Sequence, residues 1–269
     1  MKKYLTLAGL LCASALSACE KNAVQDITGT APASRIKFFN FGVCTVTATP
    51  TTSCMPNVNF YANDTKMTAT TSATGSESVV GVVYGGVGSG GLYSGIAPGQ
   101  YTITGKISAA TDKDVSVSPL PTTIADGKFY SYYISGFYNT TTKVAESFVV
   151  EDAFPALDLT VPATNAYVRF VNAISNSSPM VLNAKSTVTG TTTAVGSAVA
   201  YKTGGGFTAL PGGRYDITTR VTGASTDAIT RLDVSFSAGR IYTVTSRGDI
   251  TIVSTTAINR PFLDNTLNR

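Results

Sequence analysis

The 269-residue chain has no histidine. Ser–His and Cys–His nucleophile pairs are therefore excluded and the commonest metal ligand is missing, whereas carboxylate and Ser–Lys catalysis remain open. Charge is sparse as well. Only 13% of residues are charged, and a formal charge of +4 is too weak to argue for nucleic acid as a partner. No stretch reaches the roughly 20 apolar residues that a membrane-spanning helix needs. Nothing of useful length has helical periodicity, so the body of the chain is not built from helices. Cysteine is rare, at four residues. With so few thiols and no imidazole, neither a metal site nor a cofactor is expected.

What is present begins at the N-terminus. Lys2 and Lys3 precede an apolar run over residues 6–15, and Leu16-Ser17-Ala18-Cys19 follows it. This is the layout of a secretory leader. The last four residues resemble the lipobox of bacterial lipoproteins. That resemblance implies cleavage after Ala18, acylation of Cys19 and attachment to a membrane through lipid, each buried CH₂ contributing ~0.8 kcal/mol. The competing reading is an ordinary signal peptide whose cleavage site abuts a cysteine. In some bacteria Asp after the acylated cysteine resembles an inner-membrane retention signal. Glu20 stands there instead, which favours the outer membrane, on its periplasmic or its surface face.

With residues 1–18 removed as leader, the charge falls to +2 and Cys12 is lost. Cys44 and Cys54 remain as an even pair ten positions apart. An exported chain meets an oxidising compartment, so a disulfide stabilising by ~2–3 kcal/mol is expected. Two free thiols are the alternative. Residues 19–33 are small, polar and contain proline, and they read as a flexible tether.

The remainder is rich in Thr, Ser, Val, Ala and Tyr, which suit a pleated surface. It also repeats itself. Arg35-Ile36-Lys37-Phe38-Phe39-Asn40 has a partner in Tyr167-Val168-Arg169-Phe170-Val171-Asn172. Gly99-Gln100-Tyr101-Thr102-Ile103-Thr104 has one in Gly213-Arg214-Tyr215-Asp216-Ile217-Thr218, and Gly127-Lys128-Phe129-Tyr130 has one in Gly239-Arg240-Ile241-Tyr242. Tyr101, Ile103 and Ile107 alternate with polar residues, as do Tyr215, Ile217 and Val221, so each segment predicts a half-buried strand. Pro-Gly and Ala-Gly turns precede them. The expected fold is all-β: two tandem antiparallel β-sandwich modules over residues 34–152 and 165–269, joined by a linker at 153–164.

The second copy is the closer match to a known family. Its Val168-Arg169-Phe170-Val171-Asn172-Ala173, Leu210-Pro211-Gly212-Gly213-Arg214-Tyr215 and Ala238-Gly239-Arg240-Ile241-Tyr242-Thr243-Val244 resemble the bacterial domain of unknown function 4397. The resemblance implies a transthyretin-like or immunoglobulin-like sandwich in an exported, often duplicated and often lipid-anchored protein. Family members often carry an Asp-rich stretch after the first strand. Here that position reads Ser175-Asn176-Ser177-Ser178-Pro179, a departure that puts any role of those aspartates aside.

Chemistry has few footholds. Glu77, Glu146, Glu151, Asp152 and Asp233 form no motif. Asp112-Lys113-Asp114 lacks the Gly and Glu of a calcium loop. The glycine-rich residues 85–91 lack the Gly-Lys-Ser/Thr of a phosphate loop and read as a connection. Two binding candidates stand out. Tyr130, Tyr132, Tyr133 and Tyr138 lie on one strand, one face of which is core. The other face either exposes an aromatic stripe for stacking on sugars or packs on a neighbouring sheet or module. The second half carries ten basic against five acidic side chains. Arg214, Arg220, Arg231, Arg240 and Arg247 in it either form one anion-binding face or a merely solvated one. These features predict a non-catalytic envelope protein serving surface adhesion, scaffolding or binding. Its partners are then the membrane, through the lipid anchor, and an envelope or extracellular polysaccharide or another surface protein. Carbohydrate capture is the alternative, and an envelope hydrolase the third.

Overall fold

The computed structural model describes residues 32–44, 54–68, 80–156 and 163–269. The leader, Cys19 and most of the expected tether lie outside the described residues, as does the loop between Cys44 and Cys54. Strand β1 (Arg35–Asn40) lies inside the first sheet. It pairs in parallel with β9 (Phe129–Asn139), which carries antiparallel β10 (Val144–Glu151). On its other side β1 meets short β5 (Gly86–Val87) and β6 (Ser94–Gly95), while β2 (Val43–Cys44) pairs with the far end of β9. The facing sheet runs β4 (Thr65–Lys66), β3 (Val58–Ala62), β7 (Gly99–Ile107), β8 (Leu120–Ile124).

The second half repeats this plan. Strand β11 (Asn165–Asn172) pairs in parallel with β18 (Ile241–Arg247), which carries antiparallel β19 (Phe262–Leu267). Short β14 (Thr203–Gly204) and β15 (Thr208–Pro211) pair with the other side of β11. The facing sheet runs β13 (Thr192–Val199), β12 (Met180–Ser186), β16 (Gly213–Val221), β17 (Ile229–Phe236). The protein is all-β, and the described residues contain no α-helix.

One part of the sequence expectation needs correction. The sheets are not wholly antiparallel, because each half has a parallel pair, β1–β9 and β11–β18. Parallel neighbours need a long crossover. Here the crossover is the opposite sheet of the same sandwich, a connection that strand periodicity cannot reveal.

Alternation places the core. On β16, Tyr215, Ile217 and Thr219 are buried while Arg214 and Arg220 are exposed. In the first half Phe38 stacks on Phe60 with ring centroids 5.0 Å apart, and Tyr132 meets Phe60 edge-on. The repeated turns use the same hydrogen bonds. Tyr101 Oη donates to the Ala97 carbonyl and Tyr215 Oη to the Pro211 carbonyl, each tying a strand to the turn before it. The Ala125 amide donates to Tyr130 Oη and the Ser237 amide to Tyr242 Oη. Gly136 and Gly248 both have positive φ, 68° and 108°. At Gly136 this permits the kink after which β9 leaves β10's register and pairs with β2.

Candidate functional site

The four candidate tyrosines are all buried: Tyr130 by 7% exposure, Tyr132 and Tyr133 at 0%, Tyr138 at 5%. Tyr130, Tyr132 and Tyr138 belong to the first sandwich core. Tyr133 points the other way and stacks between Phe39 and Phe148, 4.4 and 4.9 Å away. No ring face is left for a sugar, so the aromatic platform is corrected to a packing contact. The reason is that β9 is covered on both sides, by its own facing sheet and by the second half of the chain.

The five arginines do not share a face either. Arg214 and Arg220 stand on the outer face of β16, ion-paired to Asp233 and Asp227. Arg240 is exposed on the turn before β18. Arg231 and Arg247 turn toward Phe262 on β19. Cys44 and Cys54 form a disulfide, with Cα atoms 5.7 Å apart, within the usual span.

What the structure brings together is the seam between the repeats. Phe39, Phe41, Tyr133, Phe148, Val171 and Ala173 make an apolar cluster drawn from both halves. Beside it lies a buried ionic group that exchanges partners between the halves. Arg169 on β11 reaches the end of β10, where it donates to the Glu151 carbonyl at 3.1 Å and pairs with Asp152. Lys37 on β1 reaches the end of β19, donating to the Leu267 carbonyl at 2.9 Å and to Asn268 Oδ1 at 3.4 Å. Lys37 and Arg169 occupy matching positions of the repeat. So do their aromatic covers: Lys37 Nζ lies 4.4 Å from the Tyr93 ring and the Arg169 guanidinium 5.1 Å from Phe207. The seam is therefore reciprocal, like the interface of a two-fold dimer made within one chain.

The remaining valences of Asp152 are met by Tyr93 Oη at 2.6 Å and Ser131 Oγ at 2.8 Å. Asn268, its counterpart, donates to Thr243 Oγ1 at 2.7 Å. Burial lowers Lys37 to about 8, with Asp152 pulling it up and Arg169 pushing it down. Burial, then Asp152, drives the Tyr93 hydroxyl far above its ordinary value. Phe154, in the expected linker, packs against Tyr93, Phe129 and Phe207. That part of the connection is thus a wedge in the seam and not a free spacer.

No family model and no curated protein matches the chain. Among solved structures, a leucine-rich repeat protein from Bacteroides thetaiotaomicron aligns over 80% of this chain at 13% identity, with a TM-score of 0.21. The chain spans only 26% of that protein's length. A "putative cell adhesion protein" from Bacteroides ovatus aligns over 88% of this chain and 96% of its own, at 12% identity and a TM-score of 0.22. At such scores neither likeness carries an argument, and function has to be read from the site itself.

Two contacts between the halves flank the seam at positions related by the repeat. In one, Tyr201 Oη meets Ser135 Oγ at 2.9 Å and Lys202 pairs with Glu146 at 2.5 Å. In the other, Tyr84 and Gly85 of the first half face Arg247 and Phe262 of the second. Gly85 and Lys202 are counterparts: each has positive φ, and their amides donate to Asn40 and Asn172 respectively. The ions that organise the seam are not legible in the strand period, because alternation does not tell what covers the face on which Lys37 and Arg169 lie. One signal marked them. Both repeats place a cation between apolar residues of the first strand, Lys37 between Ile36 and Phe38 and Arg169 between Val168 and Phe170.

Proposed function

We propose that the chain is a non-catalytic cell-envelope lipoprotein, held at a membrane by acylated Cys19. In this reading two sandwiches similar to domain of unknown function 4397 serve adhesion, scaffolding or binding. The observation that carries the non-catalytic part is where the carboxylates go. Glu146, Glu151, Asp152, Asp227, Asp233 and Asp264 each answer a cation of the fold itself. A hydrolase of the two-carboxylate kind needs acids turned toward a shared cleft. The Cys44–Cys54 disulfide supports an oxidising compartment, and Leu16-Ser17-Ala18-Cys19 supports the anchor. Glu20, in place of Asp after the acylated cysteine, supports the outer membrane over the inner one.

The test is acyl labelling and mass spectrometry of the exported product. The reading expects an N-terminal acylated Cys19 and membrane pelleting, with Cys19→Ser releasing a folded, soluble chain. An unmodified product that starts downstream of Cys19 contradicts it. Carbohydrate capture is the second reading, and the basic groove beside Phe262 favours it.

A further inference from the structure

The two flanking contacts differ in charge balance. Where the first sets Glu146 opposite Ser135 on the sheet ladder, the second sets Phe262 opposite Arg247. Where the first has Lys202, the second has Gly85, whose bare backbone lies against the Arg247 guanidinium. The result is an open cleft of about 160 Å³ lined by Tyr84, Arg247, Ile258, Arg260 and Phe262. Three guanidinium groups crowd the single Phe262 ring: Arg247 at 5.1 Å, Arg231 at 5.3 Å and Arg260 at 5.6 Å from its centroid. Among the described residues Asp264 is the carboxylate that answers them, and it is engaged by Arg247. Arg231 and Arg260 have carbonyl acceptors, Leu263 and Ala257, but no carboxylate within salt-bridge distance among the described residues.

Like charges held this close in a partly dry site repel one another, and an anion between them relieves that repulsion. Guanidinium groups suit carboxylate and phosphate oxygens through paired hydrogen bonds. The cleft is larger than a bare oxyanion requires, since a cavity of about 150 Å³ admits one six-membered ring. The Tyr84 ring on its wall lies 5.0 Å from the Arg247 guanidinium, an aromatic face that holds this cation in place beside the cleft.

We propose that this cleft binds one acidic sugar unit, its carboxylate or phosphate held by Arg247 and Arg260. The inference rests on the reading of the chain as a binding module, and names its ligand chemistry. The experiment titrates the purified full chain, in a neutral detergent, with galacturonate, glucose 6-phosphate, galactose and inorganic phosphate, followed by calorimetry and by NMR shifts of Tyr84 and Arg247. Both acidic sugars should bind, galactose and inorganic phosphate at least about tenfold more weakly. The tighter of the two acidic sugars separates a uronate polymer from a phosphorylated lipid headgroup as the source. Arg260→Gln should lower affinity by about tenfold or more with an unchanged melting temperature, Arg260→Lys should restore part of it, and Arg220→Gln on the outer face should change nothing. If Arg260→Gln melts early, the wild-type shifts at Tyr84 and Arg247 decide. A folded wild type that binds neither acidic sugar, or inorganic phosphate as tightly as both, overturns the cleft. Retention of that same wild type on envelope polysaccharide leaves the binding-module reading intact, so the two failures are distinguishable.

Discussion

At the scale of single residues, the buried ions decide most. Arg169 is 2% exposed and Asp152 likewise, so removing one partner strands the other. Arg169→Met should cost about 3–5 kcal/mol, whereas adding Asp152→Asn to it should recover much of the loss. Urea unfolding of the single and double variants checks this, and additive losses would contradict it. Tyr133 offers a second contrast. Its ring is sandwiched between Phe39 and Phe148, and its hydroxyl is buried with it. Tyr133→Ala should therefore cost about 3–5 kcal/mol, and Tyr133→Phe, which keeps the sandwich, no more than about 1 kcal/mol, in the same assay. The sequence located these residues but did not assign their surroundings. Period two tells which side chains share a face. It does not tell whether that face meets water, a facing sheet or a second copy of the module.

Strands and turns were more legible. The alternation around Tyr101 and Tyr215, and the Pro-Gly turns ahead of them, correspond to β7 and β16. Direction was not legible, because alternation reads the same in parallel and antiparallel neighbours. The ion-paired arginines of β16 show a similar limit, since their partner Asp233 becomes adjacent only through the pairing of β16 with β17. At this scale the disulfide gives a clear expectation. Cys44 ends β2 beside Tyr138, and its bond closes a loop of sequence separation 10. Cys44→Ser with Cys54→Ser should lose about 2–3 kcal/mol, with the far-UV spectrum unchanged. A loss of strand signal would mean that the loop organises β2 and β9 as well.

For the whole molecule, the seam turns two repeats into one body, and its ionisable groups set the pH response. Lys37 titrates near 8 when folded against 10.5 as its ordinary value. Between those values the unfolded chain binds the extra proton, so stability should rise as pH climbs from about 8 toward 10. Burial also raises Tyr132 and Tyr133 to about 12. The unfolded chain therefore releases those protons first above about pH 10, and stability should fall again there. Melting temperatures across this range should show the rise in wild type and a flatter course in Lys37→Met. An equal rise in both would assign it to other groups.

The central claim is that the halves are welded by the exchange of Lys37 and Arg169 across the seam. Scanning calorimetry of the wild type and of Asp152→Ala, a change confined to the first half, tests it most directly. The account predicts one transition with matching calorimetric and van't Hoff enthalpies, shifted down as a whole by the substitution. Two transitions, with the one belonging to residues 163–269 unmoved by Asp152→Ala, would contradict it.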